Sequence, residues 1–192
     1  MTGNDIVDIA TAAAESNWER KGFLDKIFTQ QEQQYIHHAA IPGQMVWRLW
    51  SMKESAYKIY TRQYGGRFFL PQKLKCKLLS ETTGQVTIHN NIYQTTTKST
   101  KDYIYSIARL AGEQPDLLND CFGIPQQVYA DQQNFIYKKL VASYAMIKDE
   151  DKDNLIILKD KNNIPFLYRK KQNLKIPVSI THHGNYAAFT IN

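Results

Sequence analysis

Apolar residues recur at intervals of three and four positions in two segments of the chain, and this spacing predicts two long helices. The first covers about residues 44–63 and stops at Gly65-Gly66, where glycine can adopt the left-handed conformation that ends a helix. The second covers about residues 126–146. A shorter helix is predicted after Thr29, whose spacing to Glu32 is typical of a capping box. Such a box accounts for Glu32 without any chemical role.

Short apolar runs, some of them alternating with polar residues, predict β-strands around both long helices. The predicted strands are 6–9, 73–79, 85–89, 103–110, 155–158, 165–168, 176–182 and 186–191. Residues 111–125 contain two glycines and two prolines, which favours a boundary there. The chain is therefore predicted to be an α+β protein of two similar halves, 1–112 and 122–192, joined by a linker at 113–121. Each half would pack one long helix on a small, mainly antiparallel sheet.

Composition narrows the class of protein. The 192 residues are 43% hydrophobic and 12% aromatic, which is enough apolar surface to bury a core and argues against disorder. The net charge of +6 favours anionic partners such as nucleic acid, phosphorylated cofactors or acidic proteins. Two cysteines are too few for a disulfide framework or a zinc site. The chain start lacks a signal-peptide pattern and no apolar run approaches the roughly 20 residues of a membrane span, so we expect a soluble, cytoplasmic protein.

Three side chains of the first long helix, Trp47, Glu54 and Lys58, project within about 40° of one another at roughly 100° per residue. The opposite side carries an apolar seam of Leu49, Met52, Ala56 and Ile59. Considered alone, Glu54 and Lys58 are explained by an exposed i,i+4 ion pair worth a few tenths of a kcal/mol. The large Trp47 on the same side instead favours a covered surface. A carboxylate and an ammonium beside a covered surface are typical of a metal-and-phosphate site.

The first strand offers a second carboxylate. Gly3 precedes Asp5 at the strand start, so a ligand could approach the backbone and the carboxylate together. An acidic turn explains this pattern as well. Mg²⁺ prefers one or two protein carboxylates together with phosphate oxygens and water. Asp5 and Glu54 would therefore form a magnesium site if the fold brings them together.

The last predicted hairpin offers a histidine. Strand alternation places Val178 and Ile180 on one face and Ser179 and Thr181 on the other, with His182 at the strand end. Strand ends are common places for ligand contacts, although a surface or capping histidine explains the pattern equally well. Adjacent histidines usually point in opposite directions from a strand, so a two-histidine metal site is not expected here.

Taken together, these motifs resemble those of the 4′-phosphopantetheinyl transferase superfamily. They read Gly-x-Asp-Ile-Val at 3–7, Phe-Thr-x-x-Glu at 28–32 and Trp-Ser-Met-Lys-Glu-Ser-x-x-Lys at 50–58. The stretch Pro-Val-Ser-Ile-Thr-His-His-Gly-Asn-Tyr-Ala at 177–187 is similar to the serine-histidine motif of the larger, surfactin-synthetase-activating type. The resemblance covers most of residues 3–110 and, more loosely, 135–191. It implies two halves that pack as a pseudo-twofold pseudo-dimer within one monomeric chain.

The resemblance also implies an activity, which is Mg²⁺-dependent transfer of the phosphopantetheine arm of coenzyme A to a serine of an acyl or peptidyl carrier protein. Asp5 and Glu54 are then expected to bind Mg²⁺, and Lys58 to contact the pyrophosphate and stabilise the leaving group. Glu54, directly or through a water, is the expected base for the serine hydroxyl. His182 with Thr181 is expected to hold the 3′-phosphate of coenzyme A.

At two positions the chain differs from the sequence pattern of the larger type, and there the roles of that type's residues cannot be assigned directly. Val7 stands where that type often has a second acid, as in the smaller type, which implies that a water completes the metal shell. Ile164 stands where many members have a lysine that helps to hold coenzyme A. The candidates to replace that lysine are Arg169, Lys170, Lys171 and Lys175. A solvated basic loop is an equally good account of these four residues.

The order of the motifs differs from that of the larger type, where the histidine hairpin runs directly into the Gly-x-Asp strand. We therefore infer a circular permutation, which predicts that Asn192 lies near Gly3, His182 near Asp5 and Glu54, and Trp47 near the junction. The alternative is a short holo-acyl-carrier-protein-synthase-like domain with an unrelated extension. Two other functions are considered. The chain could be a non-catalytic homologue that only binds carrier proteins, or a nucleic-acid-binding module. The sequence lacks a basic stripe with interleaved aromatic residues, which argues against nucleic-acid binding.

Overall fold

The computed structural model describes residues 1–66, 70–113, 118–125 and 129–191, with the side chains of residues 129 and 130 left aside. The first half begins with β1 (Thr2–Asp8). Four helices follow: α1 (Ile9–Glu15), α2 (Phe23–Ile27), α3 (Gln30–His38) and α4 (Pro42–Tyr64). Four strands complete the half: β2 (Lys75–Leu78), β3 (Thr83–Ile88), β4 (Asn91–Ser99) and β5 (Tyr103–Leu110). The five strands form one antiparallel sheet in the order β1-β5-β4-β3-β2.

The second half repeats this topology with one helix. It consists of β6 (Leu118–Gly123), α5 (Tyr129–Lys148), β7 (Leu155–Lys159), β8 (Pro165–Arg169), β9 (Gln172–His183) and β10 (Tyr186–Ile191). Its sheet is also antiparallel, in the order β6-β10-β9-β8-β7. In both halves the first strand pairs with the last, and the long helix connects the first strand to the remaining ones. The predicted α+β fold of two similar halves is confirmed.

The registers of the two sheets identify equivalent positions. Asp5 pairs with Ser106, the fourth residue of β5, and Asp120 pairs with Phe189, the fourth residue of β10. Asp5 and Asp120 therefore occupy the same place in the repeated topology, one in each half.

The predicted linker at 113–121 needs correction, because β6 begins at Leu118 and pairs with β10 over its whole length. The β6 sequence Leu-Asn-Asp-Cys-Phe-Gly is rich in turn-forming residues, so its strand conformation comes from tertiary pairing and not from local propensity. Residues 114–117 lie outside the described residues, as do the first three residues of the predicted second helix.

Packing follows the predicted apolar faces. In the first half, the seam residues Leu49, Met52, Ala56 and Ile59 are completely buried against the sheet. In the second half, α5 buries Leu140 and its neighbours against β7 to β10. Ile6, Tyr105 and Ala188 form a separate apolar contact where the two sheets meet. Within the described residues, no helix has both the length and the apolar character needed to span a bilayer.

The capping box at α3 continues into a buried ion pair. Thr29 and Glu32 cap each other as predicted, and the Lys53 Nζ lies 2.8 Å from the Glu32 Oε2. Lys53 also donates to the carbonyls of Pro71 and Leu74, while the Cys76 amide donates to the Glu32 Oε1. Lys53 and Glu32 therefore hold α3, α4 and the start of β2 together. Both side chains are almost completely buried, and this structural role accounts for them.

The outer edge of β1 lies against side chains of β9, which belongs to the other sheet. The amides of Asn4 and Ile6 donate to the hydroxyls of Ser179 and Thr181, at 3.2 and 3.3 Å. The Asp8 amide donates to the His183 Nδ1 at 3.0 Å. Unpaired amides at a sheet edge are costly when buried, and these alternate side chains of β9 satisfy them.

The two ends of the described chain are close in space. The hydroxyl oxygens of Thr2 and Thr190 lie 3.0 Å apart. The expectation for Asn192 falls outside the described residues, but Ile191 follows Thr190 directly in β10. The start of β1 and the end of β10 therefore meet at the junction of the two halves.

Candidate active site

Asp5 lies on β1 at the junction of the halves, with a side chain that is 13% exposed. Its Oδ1 accepts a hydrogen bond of 3.1 Å from the Thr181 hydroxyl and lies 3.6 Å from the Lys58 Nζ. Burial raises the pKa of the Asp5 carboxyl, and the Lys58 ammonium and the Thr181 hydroxyl oppose this shift. Because the Thr181 hydroxyl also accepts the Ile6 amide, the contacts of Thr181 orient Asp5.

Glu54 reaches the same region from α4, one turn before Lys58. It lines a cleft together with Asp5 and Trp47. Burial and then the charge of Asp5 raise the pKa of Glu54 to about 7, against the opposing effect of Lys58. Two carboxylates that destabilise each other's charge in a partly buried cleft are an arrangement that a cation would stabilise.

Lys58 contacts both halves. Its Nζ donates to the Asn4 carbonyl at 2.6 Å and, at 3.5 Å, to the Ile180 carbonyl of β9. Burial lowers the pKa of Lys58, while Asp5 and Glu54 oppose the shift. The ammonium therefore lies between two carboxylates and the strand that carries His182.

His182 stands near the end of β9 and lines two clefts at the junction of the halves. Burial and the charge of Lys58 lower the pKa of its imidazole, so the neutral form is favoured at neutral pH. Its neighbour His183 has a structural contact, because the His183 Nδ1 accepts the Asp8 amide. The two histidines thus have different surroundings.

We call the first of these clefts the carboxylate cleft. It has a volume of about 380 Å³ and contains Asp5 and Glu54. Its walls include Phe23, Trp47, Trp50, His182 and His183, with the cationic side chains of Arg20 and Lys26. Trp47 therefore lies close to the junction and beside both carboxylates.

The second cleft, which we call the basic cleft, has a volume of about 760 Å³ and is lined by residues of both halves. Lys58 and Arg62 come from α4, whereas Lys159 and His182 come from the second half. Amide side chains complete much of the wall: Gln63, Gln133, Asn162 and Asn163. His182 is common to both clefts and marks their boundary.

The carboxylate cleft fits a hard divalent cation that shares its coordination with a ligand. Within the described part of the chain, no three His, Cys, Asp or Glu side chains are grouped to hold a metal ion by themselves. Mg²⁺ needs fewer protein ligands than that when phosphate oxygens and waters complete its shell. Asp5 and Glu54, whose charges are electrostatically coupled, suit this requirement.

The structure places the four basic candidates, Arg169, Lys170, Lys171 and Lys175, outside both clefts. Arg169 donates to both carboxylate oxygens of Glu150, and Lys170 lies in the turn after β8 with a positive φ of 54°. Neither lines either cleft. At about 3.3 Å per residue, the length of β9 separates this turn from His182 by roughly 30 Å.

Arg62 and Lys159 are the cleft cations that the sequence-based prediction missed. Arg62 lies four residues after Lys58, so helical spacing alone could have placed it on the same face. Lys159 pairs across strands with Pro165, next to Ile164, where a lysine was expected. The positive charge is thus supplied from the neighbouring strand, which only the register of the hairpin reveals.

One comparison with known protein families agrees with the motif resemblance. The family model described as 4′-phosphopantetheinyl transferase superfamily matches residues 1–108, which include Asp5, Glu54 and Lys58. No curated protein matches the chain. The solved structures that match include a crystal structure of Thermotoga maritima holo-[acyl-carrier-protein] synthase (AcpS), with 11% identity, 66% of this chain and 77% of that chain covered, and a TM-score of 0.44. Since the family model matches more than half of the sequence, this chain belongs to the 4′-phosphopantetheinyl transferase superfamily.

Proposed function

We propose that this protein transfers the 4′-phosphopantetheine arm of coenzyme A to a serine of an acyl or peptidyl carrier protein, with Mg²⁺ held by Asp5 and Glu54. Membership of the superfamily supports phosphopantetheine transfer in general. The observation that carries the specific proposal is the meeting of Asp5, Glu54, Lys58 and His182 at one junction between the halves.

The basic cleft suits coenzyme A, whose pyrophosphate and 3′-phosphate are strongly anionic. Lys58 would contact the pyrophosphate, because it is the cleft cation closest to the carboxylates. His182 and Lys159, both from the second half, are placed to contact the nucleotide phosphates. The aromatic and amide side chains of the cleft would surround the uncharged parts of the donor.

The carboxylate cleft would then receive the carrier serine. When bound there, Mg²⁺ would neutralise the charge that develops on the pyrophosphate during attack. Arg20 and Lys26 line the same cleft, and their charges suit an acidic partner such as a carrier protein. Donor and acceptor would thus occupy two clefts that share His182.

Glu54 is the proposed base, directly or through a water, since its carboxylate lines the cleft in which the carrier serine would bind. As it takes the serine proton, the serine oxygen bonds to the phosphorus that carries the pantetheine arm. The bond from this phosphorus to the bridging oxygen breaks, and 3′,5′-adenosine bisphosphate leaves. Lys58 stabilises the negative charge of the leaving phosphate.

We also infer that the chain is of the surfactin-synthetase-activating type with its halves in exchanged order. The repeated topology and the contact between the start of β1 and the end of β10 support this inference. Joining β10 to β1 would place the histidine hairpin directly before the Gly-x-Asp strand, as in that type. One chain then supplies both halves, so we expect an active monomer.

The test of transfer is direct. The protein is incubated with coenzyme A, Mg²⁺ and several apo carrier proteins, and the carriers are weighed by mass spectrometry. We expect a gain equal to one phosphopantetheine arm, which chelation of the metal abolishes. Folded protein that binds carriers without changing their mass would support the non-catalytic alternative and overturn this proposal.

The exchanged order has its own test. A Gly-Ser bridge joins residue 192 to residue 1, and new ends are opened between 113 and 118, before β6. We expect this variant to fold and to retain transfer, because the bridge spans a short distance and the opened segment precedes the second sheet. A rejoined chain that folds but cannot transfer would count against the inference, with the unmodified protein as the control.

A further inference from the structure

Arg62 connects the two halves through backbone carbonyls. Its Nη1 donates to the Thr2 carbonyl of β1 at 3.2 Å, and its Nη2 donates to the Val178 carbonyl of β9 at 2.9 Å. Lys58, one helical turn earlier, makes the same kind of connection between Asn4 and Ile180. The two cations of α4 thus form successive bridges from β1 to β9.

These bridges matter because β1 and β9 belong to different sheets and have no ladder of backbone hydrogen bonds in the described part of the chain. Amides of β1 bond to side chains of β9, and carbonyls of both strands bond to the side chains of α4. The position of β9, and hence of His182, therefore depends on side chains. Val178 and Ile180, the bridged residues, precede His182 in the same strand.

The chemistry of Arg62 suits this connection. Burial lowers the pKa of its guanidinium to about 10, with Asp160 opposing, so the group remains charged at neutral pH. Its planar fork has donors that diverge at fixed angles and can reach two carbonyls at once. A lysine at this position could reach one of them well but not both with the same geometry.

Among the described residues of the second half, no such bridge stands at the equivalent place. Lys139 of α5 lies 3.5 Å from Asp120, as Lys58 lies 3.6 Å from Asp5, which aligns the two helices. Four residues further on, α5 has Ser143 where α4 has Arg62. The arginine is thus confined to the junction that contains the carboxylates and His182.

We propose that Arg62 is a positioning residue for phosphopantetheine transfer, which holds β9 against β1 and α4 and thereby keeps His182 beside Asp5 and Glu54. The proposal rests on the transfer function proposed above. Arg62 lies outside the motif that ends at Lys58, and its assigned role acts through β9 and not through contact with the donor.

The experiment compares Arg62→Met and Arg62→Lys with Arg48→Met. Arg48 is the matched control, because it also lies on α4 and donates to two carbonyls, those of Ser80 and Thr83, but within its own half. We expect Arg62→Met to lower kcat at saturating coenzyme A by about 10- to 100-fold, since small displacements of catalytic groups have effects of this size. The kcat falls because β9 also carries Thr181, which orients Asp5. The KM for coenzyme A should rise as well, since His182 on the same strand is the proposed contact of the nucleotide phosphates. Arg62→Lys should recover part of both parameters, and Arg48→Met should leave both unchanged.

Amide hydrogen exchange supplies a readout that does not require activity. Exchange in β1 and β9 should become faster in Arg62→Met, while exchange in β3 and β4 should not. An unchanged kcat together with unchanged exchange would overturn the proposal, and so would a rise in KM alone, which would identify Arg62 as a donor ligand. If the unmodified protein transfers nothing, the proposed function fails, and the exchange experiment still decides whether Arg62 holds β9.

Discussion

The two halves present the same aspartate–lysine pair, but only one pair has the neighbours that chemistry needs. Asp5 lies 3.6 Å from Lys58 and Asp120 lies 3.5 Å from Lys139, at equivalent positions of strand and helix. The side chains of the first pair are 13% and 26% exposed, whereas those of the second are 41% and 38% exposed. The comparison shows that this pair belongs to the repeated fold and does not by itself make a site.

The residues that surround the aspartate–lysine pair differ between the halves at two equivalent positions. Four residues before the helix lysine, the first half has Glu54 and the second has Phe135. The position of His182, opposite the second residue of β10, corresponds in the first sheet to Ser99, opposite the second residue of β5. At these equivalent positions, the pair of Asp120 and Lys139 therefore has neither a second carboxylate nor an imidazole.

The connection between first strand and long helix also differs. In the first half, residues 9–41 contain α1, α2 and α3, and several of them cover the carboxylate cleft. In the second half only residues 124–128 separate β6 from α5. The longer connection removes water from Asp5 and Glu54, and this burial is the main reason why their pKa values are raised.

The sharpest test of this comparison replaces each aspartate by alanine. Asp5→Ala should lower kcat/KM for transfer by about 10³- to 10⁴-fold, because the metal contributes several kcal/mol to stabilising the transition state. Asp120→Ala is the matched control and should retain the normal rate. Initial rates of transfer to an apo carrier protein measure both effects. Equal losses in both variants would mean that the two aspartate–lysine pairs are not functionally different.

The second prediction concerns the buried pair of Lys53 and Glu32, which is specific to the first half; the helix residue equivalent to Lys53 is the exposed Asn134. Lys53→Met should lower the free energy of unfolding by about 3–5 kcal/mol, because it leaves a buried carboxylate without its partner. The double variant Lys53→Met with Glu32→Leu should recover much of the loss. Urea unfolding measures both, and a single variant as stable as the unmodified protein would contradict the assigned role.

The third prediction concerns Asp8, whose equivalent in the second half is Gly123. Asp8 caps α1 through the Thr11 amide and accepts the Asn185 amide of the other half. Partial burial opposes ionisation of the Asp8 carboxyl. The hydrogen bonds from these amides outweigh the effect of burial and lower the pKa of Asp8 below the ordinary value of 3.8. Asp8→Ala should cost about 1–2 kcal/mol of unfolding free energy at neutral pH.

The sign of the pH dependence follows from the lowered pKa. A carboxyl with a depressed pKa in the folded state contributes stability above its unfolded value, and this contribution is lost as the pH falls through the folded value. The difference between Asp8→Ala and the unmodified protein should therefore be constant above about pH 4 and shrink below it. A difference that grows on acidification would show that Asp8 is not held as an anion.

The smallest expected effect concerns the KM for coenzyme A, and it distinguishes Lys159, which lines the basic cleft, from Arg169 and Lys170, which do not. Lys159→Ala should raise the KM for coenzyme A about threefold to fivefold, because an exposed charge contributes 1 kcal/mol or less. Arg169→Ala and Lys170→Ala should leave this KM unchanged. Steady-state kinetics at constant ionic strength distinguishes them, and a larger effect from Arg169 would place the donor at the other end of β9.

Several elements could be predicted from the sequence alone. β5 and β10 match their predicted bounds, and α4 matches within two residues, because each has a strong local pattern with turn residues or glycine at its ends. The capping box of Thr29 and Glu32 also followed from spacing. The motifs pointed to Asp5, Glu54, Lys58 and His182, since residue types at fixed spacings are visible without coordinates.

Other elements could not be predicted, because tertiary pairing stabilises them. β4 contains a run of three threonines between polar residues, and its strand conformation depends on pairing with β3 and β5 on either side. Threonine favours strands, but β4 buries Thr95 and Thr97 where an alternating apolar pattern would need hydrophobic residues, so no such pattern marks the strand. Residues 118–121 of β6 fall in the predicted linker, because Asn119 and Asp120 are typical of turns. The strands that pair with both segments lie elsewhere in the chain.

The order of residues is sufficient to identify the types of group available for chemistry and the helix or strand that carries most of them. Which of these groups meet depends on the three-dimensional packing. Packing places Arg62 and Lys159 in the basic cleft, pairs Arg169 with Glu150 away from it, and raises the pKa of Glu54 to about 7. The physical reason is that burial and Coulomb interactions depend on distances between atoms of residues that are far apart in the sequence. Those distances follow from the packing of β1 against α4 and β9, which no local pattern in the chain encodes.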